Sequence, residues 1–216
     1  MLSPGFSNTK TRYWFMVLLA GILLNIWIFQ NHVLTREVYH ALLSDRMESY
    51  RIDDYFNGSR KLSVIQYLAA PLILLIKTAV LALFLQFPLT LKLINISFFR
   101  IYRAVILAEI PLLASSLIRT FWLMGRPAQE IHSKAMMIAP LSLASFLKTE
   151  SFPAHSLSLF SHINIFEAAW LFIITKNLSD NENLTRTDAF LMVLVVWMFI
   201  ILFEYGLVMY LQKLSG

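Results

Sequence analysis

The chain contains no cysteine. That excludes disulfide bridges, thiolate metal sites and cysteine nucleophiles, so the fold rests on packing and hydrogen bonding alone. Charge is scarce too. Asp, Glu, Lys and Arg make up 14% of the 216 residues, against about 25% in ordinary soluble domains. The sequence has no Gly-x-Ser-x-Gly elbow, no phosphate-binding glycine loop and no paired catalytic carboxylates, so no enzyme activity and no cofactor is expected. It also lacks a self-similar period, which argues against a transporter built from two matching halves.

What fills the chain is apolar: 58% hydrophobic residues and a mean hydropathy of +0.65. About 20 apolar residues cross a bilayer as a helix. The runs at 13–29, 64–87, 104–124, 157–175 and 189–211 therefore predict an all-α polytopic membrane bundle of about five transmembrane helices in a single domain. The first run follows Lys10 and Arg12 like a secretory signal, but Asn25, Trp27, Ile28 and Phe29 are bulky where a signal peptidase needs small residues, which predicts an uncleaved anchor. Pro71 and Pro111 sit inside runs and predict kinks, whereas Gly125-Arg126-Pro127 ends a helix. Tyr13, Trp14, Trp27, Phe98, Phe99, Phe121, Trp122 and Tyr210 gather near run ends, as interfacial belts do.

Two polar connections, 31–62 and 125–156, predict amphipathic interfacial helices. In the first, Tyr39, Leu43, Met47 and Tyr50 recur at helical spacing, and Asn57-Gly58-Ser59 reads as a turn before the second span. In the second, 136–147 is apolar but too short to cross. The net charge of +5 comes from basic residues flanking apolar runs, which suits lipid headgroups and not nucleic acid. Lys10, Arg12, Lys92, Arg100, Arg103, Lys176 and Arg186 crowd close to spans on one side, which predicts a cytoplasmic amino terminus.

Charges within hydrocarbon-length runs mark where function is sought, because each costs roughly 2.5 to 3.5 kcal/mol on insertion scales. Lys77 lies ten residues before Phe87 and Glu109 eleven after Phe98. At about 1.5 Å per residue both sit roughly 15 to 17 Å from their shared connection, so antiparallel neighbours bring them together. Glu167 arrives at a similar depth, and the cluster predicts that Lys77 pairs with Glu109, Glu167 or both. Glu204 has no counter-charge on its own helix, and its depth points towards Arg119 and His162. His155, His162 and Glu167 share a helical stretch but lack the compact spacing of a zinc helix, so no metal site is expected. Ser115-Ser116 reads as a small-residue helix contact.

The succession Ala108-Glu109-Ile110-Pro111, Leu117-Ile118-Arg119-Thr120-Phe121-Trp122, Ala139-Pro140-Leu141-Ser142-Leu143 and Asn164-Ile165-Phe166-Glu167-Ala168-Ala169-Trp170 resembles small integral membrane proteins of Bacteroidetes-type bacteria and, more distantly, the Yip family. The resemblance covers 96–211 and implies an all-helical, five-span inner-membrane protein with Glu109 and Glu167 in the recurring pattern. It implies no catalytic residues.

Two functional classes follow. The favoured one is a non-enzymatic protein that assembles with other membrane chains or with itself, using the connections 31–62 and 125–156 as contact surfaces, in which the buried charges fix register or meet a partner. The other is a small transporter, channel or export-system subunit in which Lys77, Glu109, Glu167 and Glu204 line a polar path.

Overall fold

The computed structural model describes residues 4–148, 151–180 and 184–215. All regular structure among them is helical: α1 (Pro4–Ile28), α2 (Arg36–Leu43), α3 (Ser49–Leu91), α4 (Phe98–Met124), α5 (Ser133–Met137), α6 (Ala154–Ser161), α7 (Ile165–Ser179) and α8 (Arg186–Ser215). A π-turn at Phe29–Val33 closes α1, and short 3-10 turns lie at Ala128–Glu130 and Leu143–Phe146. Four helices are long and apolar enough to cross a membrane, over Thr11–Val33, Ser49–Leu91, Phe98–Met124 and Arg186–Tyr210.

The expected span at 157–175 is not one helix. It is divided into α6 of 8 residues and α7 of 15, with His162, Ile163 and Asn164 outside both. At about 1.5 Å per residue α7 is roughly 22 Å long, short of the ~30 Å hydrocarbon core. The physical cause is Asn164. Its side-chain oxygen accepts from the N–H groups of Phe166 and Glu167, both at 2.8 Å, so the chain starts a new helix there. Asn164-Ile165-Phe166-Glu167 is the Asn-x-x-Glu form of a helix start, a signal present in the sequence.

The first polar connection also departs from expectation. α2 ends at Leu43, and a second helix begins at Ser49, so Tyr39, Leu43, Met47 and Tyr50 do not share one helix. The Asn57-Gly58-Ser59 turn does not form either. α3 runs unbroken through it for 43 residues, about 64 Å and twice a bilayer's core, with Ser59 and Ser63 returning hydroxyl hydrogen bonds to the carbonyls of Phe56 and Arg60. Tertiary contact overrides the local turn preference. α2 folds back on α3 as a hairpin, with Arg36 and His40 both on Asp53 and the Tyr39 ring 5.3 Å from that of Phe56. The helices continue through Pro71, Pro88 and Pro111, and α3 extends past the expected end at Pro88 to Leu91. Leu93, almost wholly exposed, closes that end with φ 56°, a left-handed position that glycine usually fills.

α4 is the central element, packed against α1, α3 and α7, while α8 covers α7 and touches α3. The largest core joins α3, α4, α7 and α8 through side chains including Leu85, Ile101, Val105, Ile174 and Val193. A second layer sets α1 on α4, where Leu18, Leu74 and Ile106 are buried together. Gly21 allows the closest approach there: a Cβ on it would meet Leu113 Cδ2 at 2.5 Å. In the same seam Asn25 donates to Ser116 Oγ and accepts from Thr120 Oγ1, each at 2.8 Å. Such a polar clamp satisfies groups that hydrocarbon would leave unpaired. The outward faces of α3 and α8, from Leu68 to Phe87 and from Leu191 to Tyr210, expose leucine, isoleucine and phenylalanine as lipid-facing helices do.

Candidate functional site

The break between α6 and α7 is the foundation of the site. Asn164 Nδ2 donates to Ser161 O at 2.7 Å, tying the end of α6 to the start of α7. The segment after α5 braces it from outside: Leu143 N–H donates to Ile163 O at 2.9 Å, Ala139 N–H to Ser161 Oγ at 3.4 Å, and buried Ser142 donates to Ala139 O at 2.6 Å. Leu141, between Pro140 and Ser142, has φ 54°. A leucine in the left-handed region is held there by its surroundings, and such strain gathers at functional sites. The stretch at 136–147 is therefore a buttress for the break, built of short turns instead of a surface helix.

His162 stands at the break with a carboxylate at each ring nitrogen. Nδ1 is 3.2 Å from Glu167 Oε1, and Nε2 is 3.2 Å from Glu204 Oε2. A neutral imidazole has one donor and one acceptor nitrogen, so both contacts become hydrogen bonds only when the ring holds two protons, or when a neutral ring donates to one carboxylate and accepts from the other as a protonated carboxyl. Glu167 is fixed on its other side by the Trp197 indole N–H at 3.0 Å. Glu204 is looser, with 46% of its side-chain surface uncovered, and has Lys77 within Coulombic reach.

These groups open on a cavity of about 220 Å³ walled by α4, α6, α7, α8 and the buttress. Ser115, Arg119, Ser158 and Ser161 join His162, Asn164 and both glutamates in its lining. Arg119 is half-buried, and its guanidinium gives one hydrogen bond, Nη1 to Met136 O at 3.4 Å. Among the described residues no carboxylate lies within ion-pair distance of it. The remaining guanidinium N–H groups can donate to an anion's oxygens.

Lys77 and Glu109 form a different kind of site. Lys77 Nζ is 2.7 Å from Glu109 Oε2, on antiparallel α3 and α4. Glu109 is buried at 7% side-chain exposure, and its Oε1 has no hydrogen-bond partner among the described residues, whereas 49% of the Lys77 side chain is uncovered. The surrounding groove is apolar, made by Ile22, Ile26, Ile65, Ala69, Ile73 and their neighbours. Of the two expected acids, Lys77 meets Glu109; Glu167 bonds elsewhere, to His162 and Trp197.

Sequence reasoning reached Glu167, Glu204, Arg119 and His162 but not the break that gathers them, nor Trp197 and Ser158. It read Ser115-Ser116 as packing; Ser116 joins the Asn25 clamp and Ser115 faces the cavity. No group of three or more His, Asp or Glu side chains among the described residues is arranged to hold a metal.

Four helices long and apolar enough to cross a membrane, in a bundle that holds a cavity lined by charged and polar groups, have the make-up of a polytopic membrane protein. Compared with protein-family models, curated proteins and solved structures, the chain matches none.

Proposed function

We propose that this chain is a small transporter, channel or export-system subunit whose cavity at the α6–α7 break handles protons together with a small anionic group. The observation that carries the reading is His162 held between Glu167 and Glu204 at 3.2 Å on either side, opposite an arginine without a carboxylate. Three groups sharing protons at membrane depth pass a proton with little rearrangement, and ionisable residues there are rarely retained without a path or partner. Helices broken within the membrane bind solutes in other transport proteins because they free polar backbone and side-chain groups inside the bundle. On this reading α6 and α7 together make the fifth crossing, in line with the five-span families that the sequence resembles, and a homo-oligomer supplies the symmetry one chain lacks. The inner-membrane location and cytoplasmic amino terminus belong to the same proposal.

The experiment is reconstitution into vesicles holding a pH-sensitive dye, with a potassium–valinomycin potential imposed. Proton flux above that of protein-free vesicles is expected, and its absence counts against the reading.

A second reading, assembly without transport, rests on Lys77. A lysine with 49% of its side chain uncovered at span depth invites another membrane chain over that face of α3. Stoichiometric partner chains retained in gentle detergent, with no flux, would favour it.

A further inference from the structure

The hairpin of α2 on α3 encloses a second cavity, of about 330 Å³, with no part in the site above. Gln30 and Asn31 from the π-turn, Tyr39 from α2, and Arg60, Gln66 and Tyr67 from α3 line it, and none of its lining residues is acidic. The volume is at the lower end of the roughly 300 to 1,000 Å³ usual for small-molecule sites. Arg60 is the charged side chain of this lining, while the Asn31, Ser59 and Ser63 donors are already engaged with the carbonyls of Trp27, Phe56 and Arg60. Gln30 Nε2 donates to Gln66 Oε1 at 2.7 Å, which turns the Gln66 amide nitrogen outward as a donor. Among the described residues the Tyr39 and Tyr67 hydroxyls have no hydrogen-bond partner, and the Arg60 guanidinium lies over the Phe56 ring at 5.2 Å without an acceptor. On this hairpin Asp53 is engaged by Arg36 and His40, and neither Glu37 nor Asp54 lines the cavity.

The position of this cavity selects the ligand. Arg60 is four residues before Val64, where the apolar run of α3 begins, which puts the cavity at headgroup level. Gln66 lines it and also lines the apolar groove of about 320 Å³ that descends between α1 and α3 along Ile22, Ile26, Ile65, Ala69 and Ile73. A pocket that holds an arginine and no acid, bordering through Gln66 on a groove whose walls are apolar as far as the Lys77–Glu109 pair, matches one molecule that is anionic at one end and a hydrocarbon chain at the other.

We propose that this composite site binds an anionic phospholipid, with its phosphate on Arg60, Gln66 and Tyr67 and one acyl chain along the α1–α3 groove. The test is native mass spectrometry of the full chain in detergent with dioctanoyl phosphatidylglycerol, dioctanoyl phosphatidylcholine and inorganic phosphate as separate probes. The phosphatidylglycerol is expected to bind about tenfold more tightly than the phosphatidylcholine, and Arg60→Gln to erase that preference. Ala69→Phe, which fills the groove and leaves the donors in place, is expected to weaken the phosphatidylglycerol about tenfold as well. Equal binding of the two lipids, or a preference that survives Arg60→Gln, overturns the site. Inorganic phosphate bound as tightly as the lipid, with Ala69→Phe without effect, overturns the lipid in favour of a free phosphate. Melting temperatures confirm that the variants fold; should Arg60→Gln not fold, Tyr67→Phe replaces it, with a weakened preference expected and an unchanged one contradicting the proposal.

Discussion

Two charge clusters sit within the same helical bundle, and they are built on opposite plans. Lys77 and Glu109 are two groups of opposite sign in an apolar groove, 2.7 Å apart, with the acid buried. His162, Glu167 and Glu204 are three groups among serines, an asparagine and an arginine, around a cavity. An even pair neutralises itself and fixes two helices in register; an odd cluster leaves a proton to be distributed and a space for something else to enter. The contrast teaches that membrane depth alone does not sort structural from functional charge. On the proposed reading, the count of partners and the polarity of the walls do.

The comparison breaks most visibly at Lys77. Lys77→Met leaves Glu109 buried without its counter-charge and is expected to cost about 3 kcal/mol, measured by reversible unfolding in mixed micelles. Combining it with Glu109→Gln is expected to restore most of that, a coupling of about 2 kcal/mol in the double-mutant cycle. Coupling near zero would remove the pair from the structural role assigned to it.

Asn164→Ala comes next. Removing the cap is expected to cost about 1 kcal/mol, and it frees α7 to extend backwards and carry Glu167 away from His162. Stability and proton flux should fall together, whereas a purely structural cap would lower stability alone.

The smallest effect is expected outside the membrane, at the Arg36–Asp53–His40 clasp on the surface hairpin. Hydrogen bonds from Arg36 and then His40 hold the Asp53 carboxyl down at about 2. A depressed carboxylate contributes its stability above the unfolded value near 3.9 and loses it as pH falls through about 2. Asp53→Asn should therefore lower stability slightly at neutral pH, the effect kept small because exposed pairs are screened, and flatten the acid side between those values so that variant and parent converge below about pH 2. An unchanged acid limb would show that the clasp contributes nothing.

These effects bear on how much the sequence already disclosed. The apolar runs foretold α1, the span of α3, α4 and α8, because hydrocarbon-length segments have one stable backbone solution in lipid. Depth arithmetic brought Lys77 to Glu109, since both run antiparallel from one short connection. The divided α6–α7 was written in Asn164-x-x-Glu167 but concealed by apolar residues on both sides, which extended the run across the break. The long α3 was concealed by Asn57-Gly58-Ser59: those residues favour a turn locally, and packing against α2 decides otherwise, which no single-segment rule contains. The convergence of Arg119 and Ser158 on one cavity, and of the Trp197 indole on Glu167, depends on how four helices rotate against each other, information that lies in side-chain packing and not in spacing.

The division of labour between the clusters is tested most directly by running the vesicle proton-flux assay on two folded variants side by side. Glu204→Gln breaks the three-group unit at its loosest member and is expected to abolish flux, while Lys77→Met combined with Glu109→Gln removes the paired charges and is expected to retain it. Flux that persists in Glu204→Gln, or that vanishes when only the Lys77–Glu109 pair is neutralised, would contradict the account.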